Sequence, residues 1–99
     1  MKLFHNYFVY IIQCSDQSYY TGITNDVDAR VEEHNLGENR KSYTFTGRPV
    51  ILKYCERSQD VAQAIDFEKQ VKGWTRKKKE AFMKSDWQLL VELSGRNKK

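Results

Sequence analysis

Residues 7–14 read YFVYIIQC, a run dense in β-branched and aromatic side chains and apolar at both alternating sets of positions. A strand with one buried face alternates apolar and polar residues, so this run predicts a central strand covered on both sides. Residues 15–18 form a short polar turn. The run from Tyr19 to Thr24 then predicts a second strand, paired with the first as a hairpin.

Beyond the hairpin, cap residues and apolar spacing predict one more strand and four helices. A helix capped by Thr24 or Asn25 runs to about Asn35, a polar loop covers residues 36–48, and a third strand runs from Val50 to Glu56. Ser58 caps a helix that ends near Gly73, and Thr75 caps one that ends near Lys84. Ser85 and Gln88 form a capping-box pattern for a last helix that fades at Gly95. The order β-β-α-β-α-α-α predicts an α/β fold, with a small three-stranded sheet, mixed or antiparallel, flanked by helices.

The length of 99 residues and the hydrophobic content of 39% are typical of one small domain. We expect a single domain over residues 1–99, with a core at about 5–80 and a C-terminal helix and basic tail at 85–99. No apolar run approaches the ~20 residues that cross a bilayer, and no secretory signal is visible. Cys14 and Cys55 form neither a disulfide framework nor a recognisable zinc site with the two histidines. These features favour a cytoplasmic protein that does not bind membranes.

The charge of the chain is unevenly distributed. Residues 1–40 carry three basic and six acidic side chains, whereas residues 41–99 carry fourteen basic and seven acidic ones. The segment from Lys69 to Lys79 holds six basic residues and no acid. Such a surface favours a polyanionic partner, most often nucleic acid, although a solvated lysine-rich helix would show the same composition.

Three polar residues fall where the predicted helices should be apolar. On the first helix, Arg30 and His34 share a face with two valines, while Glu33 falls on the other side. On the second helix, Glu68 lies within the apolar stripe Val61, Ala64, Ile65 and Val71. An ion pair between Glu68 and Arg30, or side chains that reach water at the rim of the core, would explain this placement. A carboxylate for a metal, an arginine for anionic oxygens and a tyrosine or histidine for proton transfer are also what a phosphodiester hydrolase requires.

The same residues carry a resemblance to a known family. The triads Phe8-Val9-Tyr10 and Tyr20-Thr21-Gly22 are followed by Arg30, by His34-Asn35-Leu36-Gly37, by Tyr43-Thr44, by Gly47-Arg48-Pro49-Val50 and by Glu68 with Lys72-Gly73-Trp74. In order and spacing this pattern resembles the GIY-YIG nuclease domain, in particular its small stand-alone bacterial members, over about residues 5–80. The first triad lacks its glycine and isoleucine, and Thr21 replaces the second isoleucine, but neither change removes a chemical group.

The resemblance implies hydrolysis of DNA phosphodiester bonds with Mg²⁺ or Mn²⁺. It places Glu68 as the metal ligand, Arg30 at the scissile phosphate and Tyr10 as the general base, with Tyr20 and His34 in the surrounding proton and phosphate network. The expected enzyme is a structure-selective or weakly sequence-specific endonuclease in DNA repair or recombination. A phenol with an ordinary pKa of about 10 would act as a base only beside a cation, and Tyr10 could instead orient the water.

We expect the nucleic acid to contact the basic surface beside Glu68 and the loop before the third strand. The residues concerned are Tyr43, Arg48, Lys69, Lys72, Arg76, Lys77, Lys78 and Lys79. Contacts of this kind hold phosphates without reading sequence, so substrate choice would come from this surface or from a protein partner. A non-catalytic nucleic-acid-binding module that retains the fold is the alternative, and RNA in place of DNA is a further one.

Overall fold

The structure is a computed structural model that describes residues 6–38, 40–42 and 44–95. Its elements are β1 (Tyr7–Gln13), β2 (Tyr19–Thr24), α1 (Val27–Leu36), β3 (Ile51–Ser58), α2 (Val61–Lys72), α3 (Arg76–Met83) and α4 (Trp87–Gly95). The predicted α/β class and element order are confirmed. Within these described ranges, no helix combines the length and hydropathy needed to cross a bilayer.

The three strands form one antiparallel sheet in the order β2-β1-β3. The predicted central position of β1 is confirmed, because both neighbours pair with it and Val9 to Ile12 are at most 2% exposed. A mixed sheet, the other form that the sequence allowed, does not occur among the described strands.

The pairing register assigns side chains to two faces of the sheet. Tyr10 lies opposite Gly22, and Ile12 lies opposite Tyr20, so these residues share what we call the tyrosine face. Ile11, Tyr19 and Tyr54 occupy what we call the opposite face, because they alternate with those positions or pair with Ile11. Helix α1 packs on the tyrosine face through Val31, and α3 packs on the opposite face through Phe82.

Three helices, α1, α2 and α4, begin one or two residues later than the sequence patterns indicated. At α4, Asp86 rather than Ser85 accepts from the backbone of the first turn, through the Leu89 amide. Asp26 rather than Thr24 or Asn25 caps α1, where its carboxylate accepts from the Ala29 amide. The aspartate caps of α1 and α2, Asp26 and Asp60, each lie two residues after a hydroxyl residue that ends a strand. Thr24 Oγ1 accepts from the Asp26 amide at 3.1 Å, and Ser58 Oγ accepts from the Asp60 amide at 3.2 Å before α2. The hydroxyls that resembled caps therefore fix the turns that precede them.

An aromatic cluster joins the opposite face to three helices. The Phe82 ring of α3 lies 4.9 Å from the Tyr54 ring, 5.3 Å from Trp74 and 5.9 Å from Trp87, measured between centroids. Phe67 of α2 completes the cluster at 5.8 Å from Phe82. These edge-to-face and tilted pairs fasten β3, α2, α3 and the start of α4 together.

The apolar stripe predicted for α2 is only half buried. Ala64 and Val71 are each 1% exposed, as expected for the face against the sheet. Val61 and Ile65 are 44% and 38% exposed, so their assignment to the inner stripe was wrong. The helix contacts the sheet along a narrow line, which leaves room for polar side chains beside it.

Candidate active site

A pocket of about 300 Å³ opens on the tyrosine face beside α1. Its walls are Tyr20, Arg30, Glu33, His34, Gly37, Glu38, Ser42, Thr44 and Phe45. The structure therefore brings together three of the predicted site residues, Tyr20, Arg30 and His34, at one pocket.

A chain of hydrogen bonds runs behind this pocket. The Tyr10 hydroxyl lies 3.1 Å from His34 Nε2, and His34 Nδ1 lies 2.6 Å from Thr44 Oγ1. Thr44 Oγ1 in turn lies 3.0 Å from Ser42 Oγ. Tyr10 and Thr44 are each 1% exposed, so bulk solvent has little access to the chain.

Burial keeps both titratable members of the chain uncharged near neutral pH. It raises the pKa of the Tyr10 phenol above its ordinary value of 10.0, and interaction with the Arg30 guanidinium opposes the rise. Burial also lowers the pKa of the His34 imidazole below 6.5, and the charge of Arg30 lowers it further. A neutral imidazole donates from one ring nitrogen and accepts at the other, so the chain can carry a proton between Tyr10 and Thr44.

Gly22 gives the Tyr10 ring its position. The two residues are cross-strand partners, and a Cβ on Gly22 would collide with the Tyr10 hydroxyl and ring. The ring therefore lies across the glycine and reaches towards His34. Sequence reasoning quoted Gly22 only as part of a triad, because the close approach depends on strand register.

Ser42 and Thr44 are further residues whose part in the site the sequence reasoning missed. The loop before β3 returns them to α1, where they meet His34. The only signal in the sequence was the dipeptide Tyr43-Thr44, which was quoted for the resemblance without a role for the threonine. Tyr43, predicted to contact nucleic acid, lies outside the described residues.

Arg30 lies at the rim of the pocket rather than beneath the helix. Its Nε donates to Glu33 Oε1 at 3.1 Å, and the two side chains are 40% and 51% exposed. The expectation that Glu33 lies on the far side of α1 was wrong, because its carboxylate pairs with Arg30 and lines the pocket. A phosphate that binds Arg30 would therefore compete with Glu33.

Glu68 comes from the second half of α2. Its carboxylate is 12% exposed and lies 2.7 Å from Lys72 Nζ, which is 51% exposed. The ion pair between Glu68 and Arg30, one of the alternatives that the sequence left open, does not form. The hydrogen bond to Glu68 is the main cause that raises the pKa of Lys72, and electrostatic interaction with Tyr20 adds to it.

The described donors fit a hydrated cation rather than a closed metal cage. No group of three or more histidine, cysteine, aspartate or glutamate side chains gathers anywhere in the described parts of the chain. Glu68 supplies one inward carboxylate. One carboxylate with water and phosphate oxygens in the remaining positions is an arrangement that Mg²⁺ accepts.

Four of the basic residues predicted to bind nucleic acid differ in their freedom to do so. Lys69 and Lys77 are exposed. Lys78 Nζ lies 4.8 Å from the centre of the Trp74 ring. Burial lowers the pKa of Lys79. The first two are therefore the most available for phosphate contacts.

Two arginines of the predicted nucleic-acid surface are held by local contacts. Arg76 Nε lies 3.1 Å from Glu80 Oε2. Arg48 stacks over Phe45, with its guanidinium carbon 4.1 Å from the ring centre and its Nε donating to the Phe45 carbonyl at 2.7 Å. Arg48 thereby stabilises the loop that supplies Thr44.

Comparison with known proteins matches this chain to one family. Residues 6–81 match the model of the GIY-YIG catalytic domain. A UPF0213 protein of Staphylococcus aureus is 49% identical over 74 residues, which cover 75% of this chain and 89% of the relative.

Two solved structures share the fold. The solution NMR structure of the UPF0213 protein BH0048 from Bacillus halodurans has 37% identity and a TM-score of 0.54, with 80% of this chain and 83% of that chain covered. The solution NMR structure of the protein EF2693 from E. faecalis has 34% identity and a TM-score of 0.57, with coverages of 85% and 86%.

Proposed function

The chain belongs to the GIY-YIG family, and from that premise we propose that it is a metal-dependent endonuclease that hydrolyses phosphodiester bonds of DNA. We place its activity in DNA repair or recombination, with selectivity for DNA shape or weak selectivity for sequence. Mg²⁺ is the proposed cofactor, and Mn²⁺ would replace it. The proposed setting is the cytoplasm, which agrees with the free thiols of Cys14 and Cys55.

The observation that carries the proposal is the buried chain from Tyr10 through His34 to Thr44, placed beside Arg30. A buried polar chain of this length contributes little to the stability of a core, because each of its members must be paired to avoid a desolvation penalty. A nuclease needs such a chain to position water and move its proton beside a bound phosphate.

The side chains divide the work as follows. Arg30 binds the non-bridging oxygens of the scissile phosphate, leaving Glu33, and offsets the negative charge that grows there. The Tyr10 oxygen orients the attacking water and accepts its proton while passing its own proton to His34 Nε2. Thr44 holds the other ring nitrogen, so His34 keeps the orientation that this transfer needs.

Glu68 would hold the cation after exchanging its contact with Lys72. When bound, the cation would stabilise negative charge on the phosphate oxygens. Lys69 and Lys77 would hold the DNA backbone without reading sequence. Substrate choice would then come from the shape of the DNA or from a protein partner.

The test is cleavage of end-labelled duplex, single-stranded, flap, fork and four-way-junction DNA with Mg²⁺, Mn²⁺ or EDTA. We expect metal-dependent cleavage that Glu68→Ala and Arg30→Ala each reduce by at least about 100-fold, as for loss of a group that stabilises developing charge. Asp66→Ala and Arg57→Ala are matched controls, because both residues are exposed and lie outside the site. A folded Glu68→Ala protein that cuts as fast as wild type would show the mechanism to be wrong.

A non-catalytic nucleic-acid-binding module is the second candidate. The observation in its favour is that Arg30 and Glu68 are each neutralised by a residue of their own helix. It predicts salt-dependent binding of DNA in the cleavage assay with no metal-dependent product. RNA of the same shapes, run in parallel, tests the remaining nucleic-acid alternative.

A further inference from the structure

A second pocket, of about 400 Å³, lies on the opposite face of the sheet, near the turn of the hairpin. Gln13, Tyr19, Lys53, Arg76, Glu80, Met83 and Lys84 line it. None of these residues lines the pocket beside Tyr20 and His34. The two pockets are therefore separate sites.

The pocket is polar where a helix packed on a sheet is normally apolar. Residues 76, 80 and 84 are spaced by four and so lie along one side of α3 and its cap. That side carries Arg76, Glu80 and Lys84. Instead of filling the gap with apolar side chains, the helix presents charges to it.

A β-bulge gives Lys53 its position at this pocket. Ile11 pairs with Tyr54 and Ile12 pairs with Leu52, so Lys53 is the extra residue of β3 and has no partner on β1. In a regular ladder Lys53 would stand opposite Ile12 and point to the tyrosine face. The bulge turns it towards the pocket, which is a recurrent use of bulges at binding sites.

Arg76 is held in place before any ligand arrives. Its guanidinium lies 4.6 Å from the centre of the Tyr19 ring, and its Nη1 donates to the Gln17 carbonyl. Glu80 Oε2 accepts from Arg76 Nε at 3.1 Å and from the Tyr19 hydroxyl at 3.0 Å. The single carboxylate of the pocket is thus engaged in fixing the arginine.

Two positively charged side chains of the pocket are not neutralised by an acidic residue among the described ones. Lys53 and Lys84 form no ion pair with any acidic side chain in the described ranges. Three cationic groups against one carboxylate favour an anion with several oxygen acceptors, and a planar guanidinium flanked by ammonium groups suits a tetrahedral one. We propose that this pocket is a phosphate-binding site, separate from the candidate active site and independent of nuclease activity.

The proposed ligand is a phosphate group, carried by a nucleic acid strand or free in solution. The first test is a ¹⁵N–¹H NMR titration of the full chain with inorganic phosphate, followed at the amides of Gln13, Tyr19 and Lys84. Lys53→Gln should weaken the binding by roughly tenfold, as expected for loss of one charge-assisted contact. Arg57→Gln is the matched control, because it removes one positive charge from the same strand outside the pocket, and it should change the affinity less than twofold.

A second arm separates the sources of the phosphate. Binding of single-stranded oligonucleotides with a 5′-phosphate or a 5′-hydroxyl is measured by fluorescence anisotropy for wild type, Lys53→Gln and Arg57→Gln. If Lys53→Gln weakens binding only of the strand with a 5′-phosphate, the ligand is a terminal phosphate. If Lys53→Gln weakens binding of both strands equally and reduces the slope of log affinity against log salt concentration by about one, the ligand is a backbone phosphate. If Lys53→Gln weakens binding of inorganic phosphate but of neither strand, the ligand is free phosphate.

Two results would overturn the proposal. One is phosphate binding that Lys53→Gln weakens no more than Arg57→Gln does. The other is an absence of phosphate-induced shifts at Gln13, Tyr19 and Lys84, including the case in which only residues beside Arg30 respond. Lys84→Gln, on a different element, guards against a local effect of the bulge. Neither readout uses DNA cleavage, so failure here leaves the proposed nuclease untouched, and failure of the nuclease leaves this site untouched.

Discussion

The two faces of the central strand bury different chemistry. On the tyrosine face, Tyr10 enters a chain of hydrogen bonds that ends in the loop before β3. On the opposite face, Tyr54 and Phe82 belong to an aromatic cluster that stabilises by area and ring geometry. A polar chain is specified by donor and acceptor positions to a few tenths of an ångström, whereas an apolar cluster tolerates adjustment. We therefore expect substitutions on the tyrosine face to reduce mainly function, and substitutions on the opposite face to reduce mainly stability.

The largest effect on stability is expected at the centre of the aromatic cluster. Phe82→Ala removes a ring that contacts four others and should lower the free energy of unfolding by about 3 kcal/mol. Urea denaturation measures the change. Leu36→Ala, at a side chain 61% exposed, is the control and should cost less than about 0.5 kcal/mol. Equal losses in the two variants would contradict the assignment of stability to the cluster.

Gly22→Ala should cause the next largest loss and should affect both stability and activity. The added methyl group collides with Tyr10, so we expect a cost of about 2 kcal/mol and a displaced hydroxyl. Gly73→Ala is a matched control, because its Cβ would meet only the Gln70 carbonyl at 3.6 Å and the Lys69 carbonyl at 3.8 Å. Denaturation and the NMR signals of His34 report the two effects. An unchanged His34 environment in Gly22→Ala would show that the glycine does not position Tyr10.

A smaller effect is expected when the polar chain is broken at its far end. Thr44→Val keeps the side-chain shape but leaves His34 Nδ1 and Ser42 Oγ without their shared partner, which should cost about 1–2 kcal/mol. Thr44→Ser retains the hydroxyl and should keep the ¹⁵N shifts that identify the His34 tautomer. If Thr44→Val left those shifts unchanged, the threonine would have no part in holding the imidazole.

The smallest effect is the pH dependence that His34 confers. Because burial lowers its folded-state pKa below 6.5, the unfolded chain binds the proton more readily. Stability from the neutral imidazole is therefore fully present above about pH 6.5 and is lost as the pH falls below that value. Unfolding free energies at pH 7.5 and 5.5 should converge in His34→Asn relative to wild type. An identical pH response in the two proteins would remove His34 from the buried chain.

Much of the fold follows from local sequence. The run at 7–14 predicted a buried central strand, and both bounds of β2 agree with the sequence interpretation, because side-chain alternation is a local property. The helix starts were less accurate. Ser58 and Thr24 had the chemistry of caps, but a capping side chain and a turn-forming one differ only in the backbone conformation around them.

The candidate site was predictable as a set of residue types and not as a set of partners. The sequence placed polar residues on buried helix faces, and the resemblance assigned roles to Tyr10, His34 and Glu68. The sequence analysis considered an ion pair between Glu68 and Arg30, whereas in the structure each of them pairs with a residue of its own helix.

The sequence by itself determined the order of the elements, the burial of β1 and the chemical groups available for catalysis. Periodicity and side-chain chemistry carry that information over a few residues. Only the tertiary structure decided that Tyr10 lies across Gly22, that Thr44 closes the chain through His34 and that a bulge turns Lys53 to a second pocket. Those relations depend on strand register and loop return, which are set by packing among residues far apart in the chain.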